Sequence, residues 1–195
     1  MNKKVEVQKT TLLLDGFFKV EEAYVSFEKT DGTMLGPVRR LDLKRDDAVC
    51  ALIVNKAKGT VVFVRQFRYA AHSRGQAYPL ELVAGLIDKG EAPEAAIRRE
   101  ILEEAGYAVG PLRHVSTFYP SPGITSERGI LFYAETLGAE PVEAGGGLAD
   151  ETEDVERIEL PFEQAFAMIE SGEIYDGKTI IGLFWLKDQL HQGKP

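Results

Sequence analysis

The chain has 195 residues, 44% hydrophobic and 28% charged, which is enough for a core of ordinary size in a water-soluble globular protein. Its net charge of −8, with no basic stripe, argues against nucleic-acid binding through phosphate contacts. A single cysteine excludes an intrachain disulfide, and the apolar run Leu12–Leu14 is too short for a signal peptide or a membrane span, so the expectation is a cytoplasmic protein with no membrane partner.

In chain order, Val5–Thr11 and Phe17–Glu28 read as strands, and Asp31-Gly32 as the hairpin turn before a third strand at Val38–Leu43. Ala48–Val54 and Thr60–Phe67 are stronger strands split at Lys58-Gly59, with Cys50 a buried thiol in the first. Glu91-Ala92-Pro93 starts a helix that Gly106 ends, proline and acidic residues suiting the first turn and glycine the stop. Strands follow at Leu112–Phe118, Ile130–Glu135 and Val155–Leu160, then helices at Phe162–Ser171 and Lys178–Gln192. Strands mixed with helices, without steady βαβ alternation, predict an α/β fold of the α/β/α sandwich type on a mixed sheet. Residues 1–46, mostly strands and turns, are expected to form a small N-terminal antiparallel β subdomain, with 47–195 as the main domain. His72, His114 and His191 lie far apart, with no zinc-type spacing.

The helix carries the chemistry. Glu100, Glu103 and Glu104 stand at i, i+3 and i+4, so their carboxylates share a face beside an apolar stripe of Ile97, Ile101 and Ala105. Like charges this close repel; a divalent cation removes the repulsion, and hard carboxylate oxygens suit Mg²⁺ or Mn²⁺. An acidic run alone is most often a solvated face. Gly85, Glu91, Arg99 and Gly106, at fixed distances around it, are what a solvated face does not explain. Arg99 cannot ligate a metal; pairing with Glu91 or Glu103 would hold loop and helix in register.

The spacing G-x5-E-x7-R-E-U-x-E-E-x-G-U, with U a bulky apolar residue, runs from Gly85 to Tyr107 and resembles the Nudix box of pyrophosphate-cleaving hydrolases at every position but the last, where Tyr107 replaces an aliphatic residue. The resemblance implies the Nudix α/β/α sandwich, a divalent ion held by Glu100, Glu104 and the backbone carbonyl of Ala84, and structural roles for Gly85, Glu91, Arg99 and Gly106.

Beyond the box, three stretches resemble the ADP-ribose and nucleoside diphosphate-sugar pyrophosphatases of this superfamily. Pro122 lies sixteen positions past Gly106, as in the ADP-ribose group, although Ile124 replaces a usual glycine. Gly147-Leu148-Ala149-Asp150-Glu151 matches a catalytic loop, implying Glu151 as general base, with Glu103 as its rival, and Glu153 as a further metal ligand. Gly16-Phe17-Phe18, Val38-Arg39-Arg40 and Arg65-Gln66-Phe67-Arg68-Tyr69 resemble substrate-gripping elements, in which Phe17 would stack on the base while Arg40 and Arg68 contact base, ribose or phosphate. On the residues alone, Phe17 reads equally as core, and Arg39 and Arg40 as solvated edge charges. The resemblance also implies a homodimer with exchanged N-terminal strands. It ranks ADP-ribose, cleaved to AMP and ribose 5-phosphate, ahead of GDP-mannose, toward which Ala144-Gly145-Gly146-Gly147 and Glu159-Leu160-Pro161-Phe162 lean. A nucleotide-binding Nudix module without turnover ranks last, because no box glutamate is missing.

Overall fold

The computed structural model describes residues 3–148 and 152–193. The chain divides into two compact units, one of residues 1–46 with 119–128 and one of 47–118 with 129–195.

The first unit is a three-stranded antiparallel sheet in the order β1-β2-β3, built from Val5–Asp15, Lys19–Glu28 and Met34–Lys44. Its second turn is fixed by Asp31, which accepts from the Thr33 hydroxyl at 2.6 Å and backbone amide at 2.9 Å and from Lys29 at 2.9 Å. These donors, the Thr33 hydroxyl first, bring the Asp31 pKa down to about 2. Phe17 and Phe18, expected at the start of a strand, instead lie in the bend between β1 and β2, where the Gly16 amide bonds the Phe18 carbonyl at 3.2 Å. The segment 119–128 joins this unit through the end of β3: the Leu43 amide donates to Ile124 at 2.9 Å, the Thr125 hydroxyl donates to Leu43 at 2.7 Å, and Arg45 pairs with Glu127 at 3.0 Å.

The second unit is a mixed sheet of seven strands whose main path runs β10-β5-β4-β9-β8. Its strands are β4 (Ala48–Asn55), β5 (Thr60–Arg65), β6 (Leu80–Glu81), β7 (Val83–Leu86), β8 (Arg113–Phe118), β9 (Gly129–Glu135) and β10 (Glu156–Pro161). The apolar runs of β4 and β5 are buried on both faces, as central strands require. Alternate residues of β4 separate two cores. Val49, Ala51 and Ile53 pack with Ala96, Ile97, Ile101 and Ala105 of the box helix. Cys50, Leu52 and Val54 pack with Ala165 and Phe166 of α3 (Phe162–Glu170) and Leu183 and Leu186 of α4 (Gly177–His191). That is the expected α/β/α sandwich. Three short elements escape the sequence pattern: a four-residue helix, α1 (Tyr69–His72), and the strands β6 and β7.

Those short strands place the site. β4 pairs with β5 only at Ile53–Asn55; beyond that β4 turns to β7 through Ala48–Ala51, and β5 to β6 through Val64 and Arg65. The chain at 80–86 thus enters between two diverging central strands, and Gly85, in β7, faces the box helix α2 (Pro93–Glu100).

Candidate active site

After Glu100 the box helix widens into a π-helical turn, Ile101–Ala105, and closes at Gly106 in the left-handed conformation with φ of 71°. The wider turn separates the three carboxylates. Glu104 points inward and is 1% exposed, accepting from Gln66 Nε2 at 3.2 Å and the Ala84 amide at 3.3 Å. No lysine or arginine pairs with it among the described residues. Burial, then the charge of Glu100, and further that of Glu153, push its pKa up to about 8 against the pull of the Ala84 amide. Burial also raises the pKa of Glu100, with Arg99 opposing.

Arg99 ties loop to helix. Its guanidinium meets Glu91 at 3.2 Å, Glu100 at 2.7 Å and Glu103 at 3.0 Å, and donates to the Leu86 carbonyl at 3.3 Å. Its pKa is raised, chiefly by Glu91, and that of Glu91 is lowered, chiefly by Arg99. Gly85 is a matter of space: a Cβ there would stand 2.0 Å from the Glu100 carboxyl. Gly85→Ala is therefore expected to displace Glu100 and to cost roughly 1–3 kcal/mol by overpacking. Thermal unfolding in EDTA checks this, and an unchanged midpoint would show that Glu100 moves freely.

Glu153 accepts from the Leu148 amide at 3.2 Å. Glu151 lies outside the described residues. Among those described, no three acidic, histidine or cysteine side chains are gathered into a ready-made metal cage. The donor set nonetheless fits a divalent cation: a buried carboxylate with no ion pair among the described residues, and with the charges of Glu100 and Glu153 close by, is what a hard cation stabilises.

Arg68 lies at the edge of a cluster that sequence reading overlooked. Its Nε bonds Glu81 at 2.8 Å; Glu81, 5% exposed, also holds Lys178 at 2.5 Å, and Lys178 meets Asp176 at 3.2 Å. Burial alone would depress the Lys178 ammonium, but Asp176 and Glu81 outweigh it and its pKa is raised. The sequence signal for this group was Asp176-Gly177-Lys178 at a helix start, where the Asp176 side chain caps the Thr179 amide. Gln66 gave no signal beyond lying in the same stretch as Arg68.

Phe17 and Arg40 belong to the first unit. Phe17 is 86% exposed, which excludes the core reading within this chain. Its ring packs edge-on against Phe18 at 4.8 Å, and the Arg45 guanidinium lies over both rings. Arg40 lies over the Phe27 ring at 5.9 Å.

A sandwich whose diverging central strands seat Gly85 against a helix bearing Arg99, Glu100 and Glu104 defines a hydrolase domain of the Nudix class. The Nudix domain family model matches residues 44–180. The chain is 38% identical over 189 residues to the GDP-mannose pyrophosphatase of Enterobacter sp. (strain 638), covering 96% of this chain and 97% of that protein. It is 39% identical over 188 residues to the GDP-mannose pyrophosphatase of Citrobacter koseri, covering 95% and 96%. A crystal structure of an ADP compounds hydrolase superposes with a TM-score of 0.74 at 21% identity, covering 98% of this chain and 97% of that one, which bears on the fold alone. The chain belongs to the Nudix family and is a hydrolase acting on a diphosphate. No helix among the described residues is long and apolar enough to cross a membrane.

Proposed function

We propose that the chain is a divalent-metal-dependent pyrophosphatase of nucleoside diphosphate-sugars and that GDP-mannose is its substrate. The observation that carries the metal dependence is Glu104, a buried carboxylate with no ion pair among the described residues, its pKa raised by burial and by the neighbouring charges of Glu100 and Glu153. The relatives that match nearly end to end supply the substrate class. They move the ranking from ADP-ribose, placed first on sequence, toward GDP-mannose. ADP-ribose stays as the second reading, on Ser126-Glu127-Arg128 and Leu148-Ala149-Asp150-Glu151.

In this reading water attacks one phosphorus of the pyrophosphate, the anhydride P–O bond breaks, and a nucleoside monophosphate and a sugar phosphate leave. Glu100, Glu104, Glu153 and the Ala84 carbonyl would hold Mg²⁺ or Mn²⁺. When bound, such ions neutralise the pyrophosphate and stabilise charge on the leaving phosphate. Glu151 takes the proton of the attacking water, a step worth about two to four powers of ten; Glu103, already bonded to Arg99, is the weaker candidate. Arg68, its Nε on Glu81, has no further side-chain hydrogen bond among the described residues and offers its terminal nitrogens to a phosphate. The first unit forms a homodimer by strand exchange and lends Phe17 and Arg40 to the nucleotide.

The test is kcat/KM with Mg²⁺ for GDP-mannose, ADP-ribose, UDP-sugars, NADH and dinucleoside polyphosphates. GDP-mannose is expected to lead; ADP-ribose in first place would restore the second reading, and hydrolysis of no nucleoside diphosphate-sugar would overturn both. Glu151→Gln is expected to depress kcat with little change in metal affinity, and Glu153→Gln to weaken metal binding as well. A silent Glu151→Gln beside a severe Glu103→Gln would move the base to the helix.

A further inference from the structure

A helix that ends in a π turn leaves several carbonyls without helical partners. Here four consecutive ones are taken by groups from outside the helix. The Glu103 carbonyl accepts from the Gly147 amide at 3.0 Å, that of Glu104 from Gly146 at 3.0 Å, and that of Gly106 from Val142 at 2.8 Å and Glu143 at 3.1 Å. The fourth, Ala105, accepts from a side chain, Arg157 Nη1, at 2.7 Å.

The same Nη1 donates to the Ala144 carbonyl at 3.2 Å, so one nitrogen joins the helix end to the glycine-rich loop. The guanidinium also lies over the Tyr107 ring at 5.7 Å, a favourable placement for a cation. Arg157 itself is fixed in β10, opposite Val64 of β5. It makes no ion pair with a described carboxylate. Its positive charge instead faces the negative end of the helix dipole.

The loop so held has little freedom. Gly145, with φ of 69°, lies so close that a Cβ would stand 2.7 Å from the Glu104 carbonyl. The loop then folds back on itself: the Val155 amide donates to Gly146 at 3.1 Å, and the Glu153 amide to Leu148 at 3.3 Å. Glu153 and Glu104 are thus placed by one continuous set of bonds, in which the Glu104 backbone carries the loop that carries Glu153.

We propose that Arg157 is a positioning residue for the metal-binding carboxylates: by clamping Ala105 to Ala144 it sets the register of the loop at 145–148 on the box helix, and through it the place of Glu153 relative to Glu104. This rests on the reading of Glu104 and Glu153 as metal ligands. The loop register itself does not.

The experiment compares wild type with Arg157→Gln and Arg157→Lys, in the full-length protein without substrate. Mn²⁺ affinity is read from the electron paramagnetic resonance of free Mn²⁺, and the amides of Gly146 and Gly147 by hydrogen exchange in the metal-free protein. Arg157→Gln is expected to bind Mn²⁺ about 10–100-fold more weakly, the usual effect of losing a partner that orients a metal ligand. Gly146 and Gly147 should exchange faster while amides of β4 stay protected. With nucleotide-sugar and Mn²⁺, kcat should fall and KM change little; Arg157→Lys, able to keep one of the two carbonyl contacts, should recover part of each loss. Wild-type Mn²⁺ affinity and unchanged exchange at Gly146 and Gly147 in Arg157→Gln would overturn the proposal, as would uniform loss of protection throughout the second unit, the mark of a fold strut. Failure of the underlying reading looks different: Glu104→Gln and Glu153→Gln would then both bind Mn²⁺ as wild type does.

Discussion

Glu104→Gln is expected to abolish most turnover while leaving a more stable metal-free protein at neutral and alkaline pH. The loss of kcat should exceed the roughly 10–100-fold that removing an outer partner of a metal ligand costs, because a ligand itself is lost. Stability moves the other way. The folded-state pKa of Glu104, about 8, lies above the ordinary carboxylate value of 4.5, so the fold favours the protonated form. Its contribution to stability is therefore fully present below the unfolded pKa and is lost as pH rises through about 8. Wild type in EDTA should lose on the order of a few kcal/mol across that window, whereas the amide variant carries no such charge and should not. The new amide can still accept from the Ala84 amide, and Gln66 can flip to accept its N–H₂. Thermal midpoints from pH 5 to 9 should diverge by several degrees, roughly 2–4 °C per kcal/mol for a chain of this size. Saturating Mg²⁺ should restore wild type and leave the variant unmoved. Parallel curves with equal Mg²⁺ response would remove Glu104 from the metal site.

The same residue marks the limit of what sequence made legible. The box spacing identified Glu104 and the helix that carries it, but an i, i+3, i+4 pattern on a regular helix puts all three carboxylates on one face. The π turn breaks that regularity, sending Glu104 into the core and leaving Glu103 to Arg99. Nothing in local spacing announces a π turn. Tyr107, a departure from the aliphatic pattern, has a physical reason only in three dimensions: its hydroxyl bonds Glu159 at 2.5 Å and the Ala139 carbonyl at 3.2 Å. The ring fills the core like an aliphatic side chain, and the hydroxyl finds partners at its edge.

The strong central strands, the hairpin at Asp31 and the two C-terminal helices were readable because continuous apolar runs, turn residues and helical periodicity are local signals. β6 and β7 were not, since two and four residues are too short for alternation to register. The partners that position the site were hidden for another reason. Glu81 and Lys178 are 97 residues apart, Arg157 and Ala105 are 52 apart, and a charged residue met alone reads as surface. The segment 119–128 falls by sequence within the main domain at 47–195; its bonds to Leu43 group it with the first unit, a pairing across some eighty residues that no local signal marks.

The first unit supplies the other large effect, on assembly. Its outer strand β1 is open to solvent along nearly its whole length: Val5 is 63% exposed and Val7 59%, and Leu12, Leu13 and Leu14 are about half exposed. Three antiparallel strands are close to the minimum for independent stability, and an apolar edge strand left bare invites pairing with another copy. The proposed homodimer covers it. In a monomer, charged substitutions at such exposed positions would change stability by no more than about 0.5 kcal/mol. Across a two-fold interface each is repeated in both subunits and buries an unpaired charge. Val7→Glu with Leu13→Glu is therefore expected to give a folded monomer by sedimentation, with unchanged secondary structure and activity lost although every box residue remains. If Phe17 serves the nucleotide of the opposite subunit, a Phe17→Ala chain mixed with a Glu104→Gln chain should regain activity, because one of the two shared sites is then whole. A wild-type chain that sediments as a fully active monomer at assay concentration would sink the dimer, and Phe17 would have to act within its own chain.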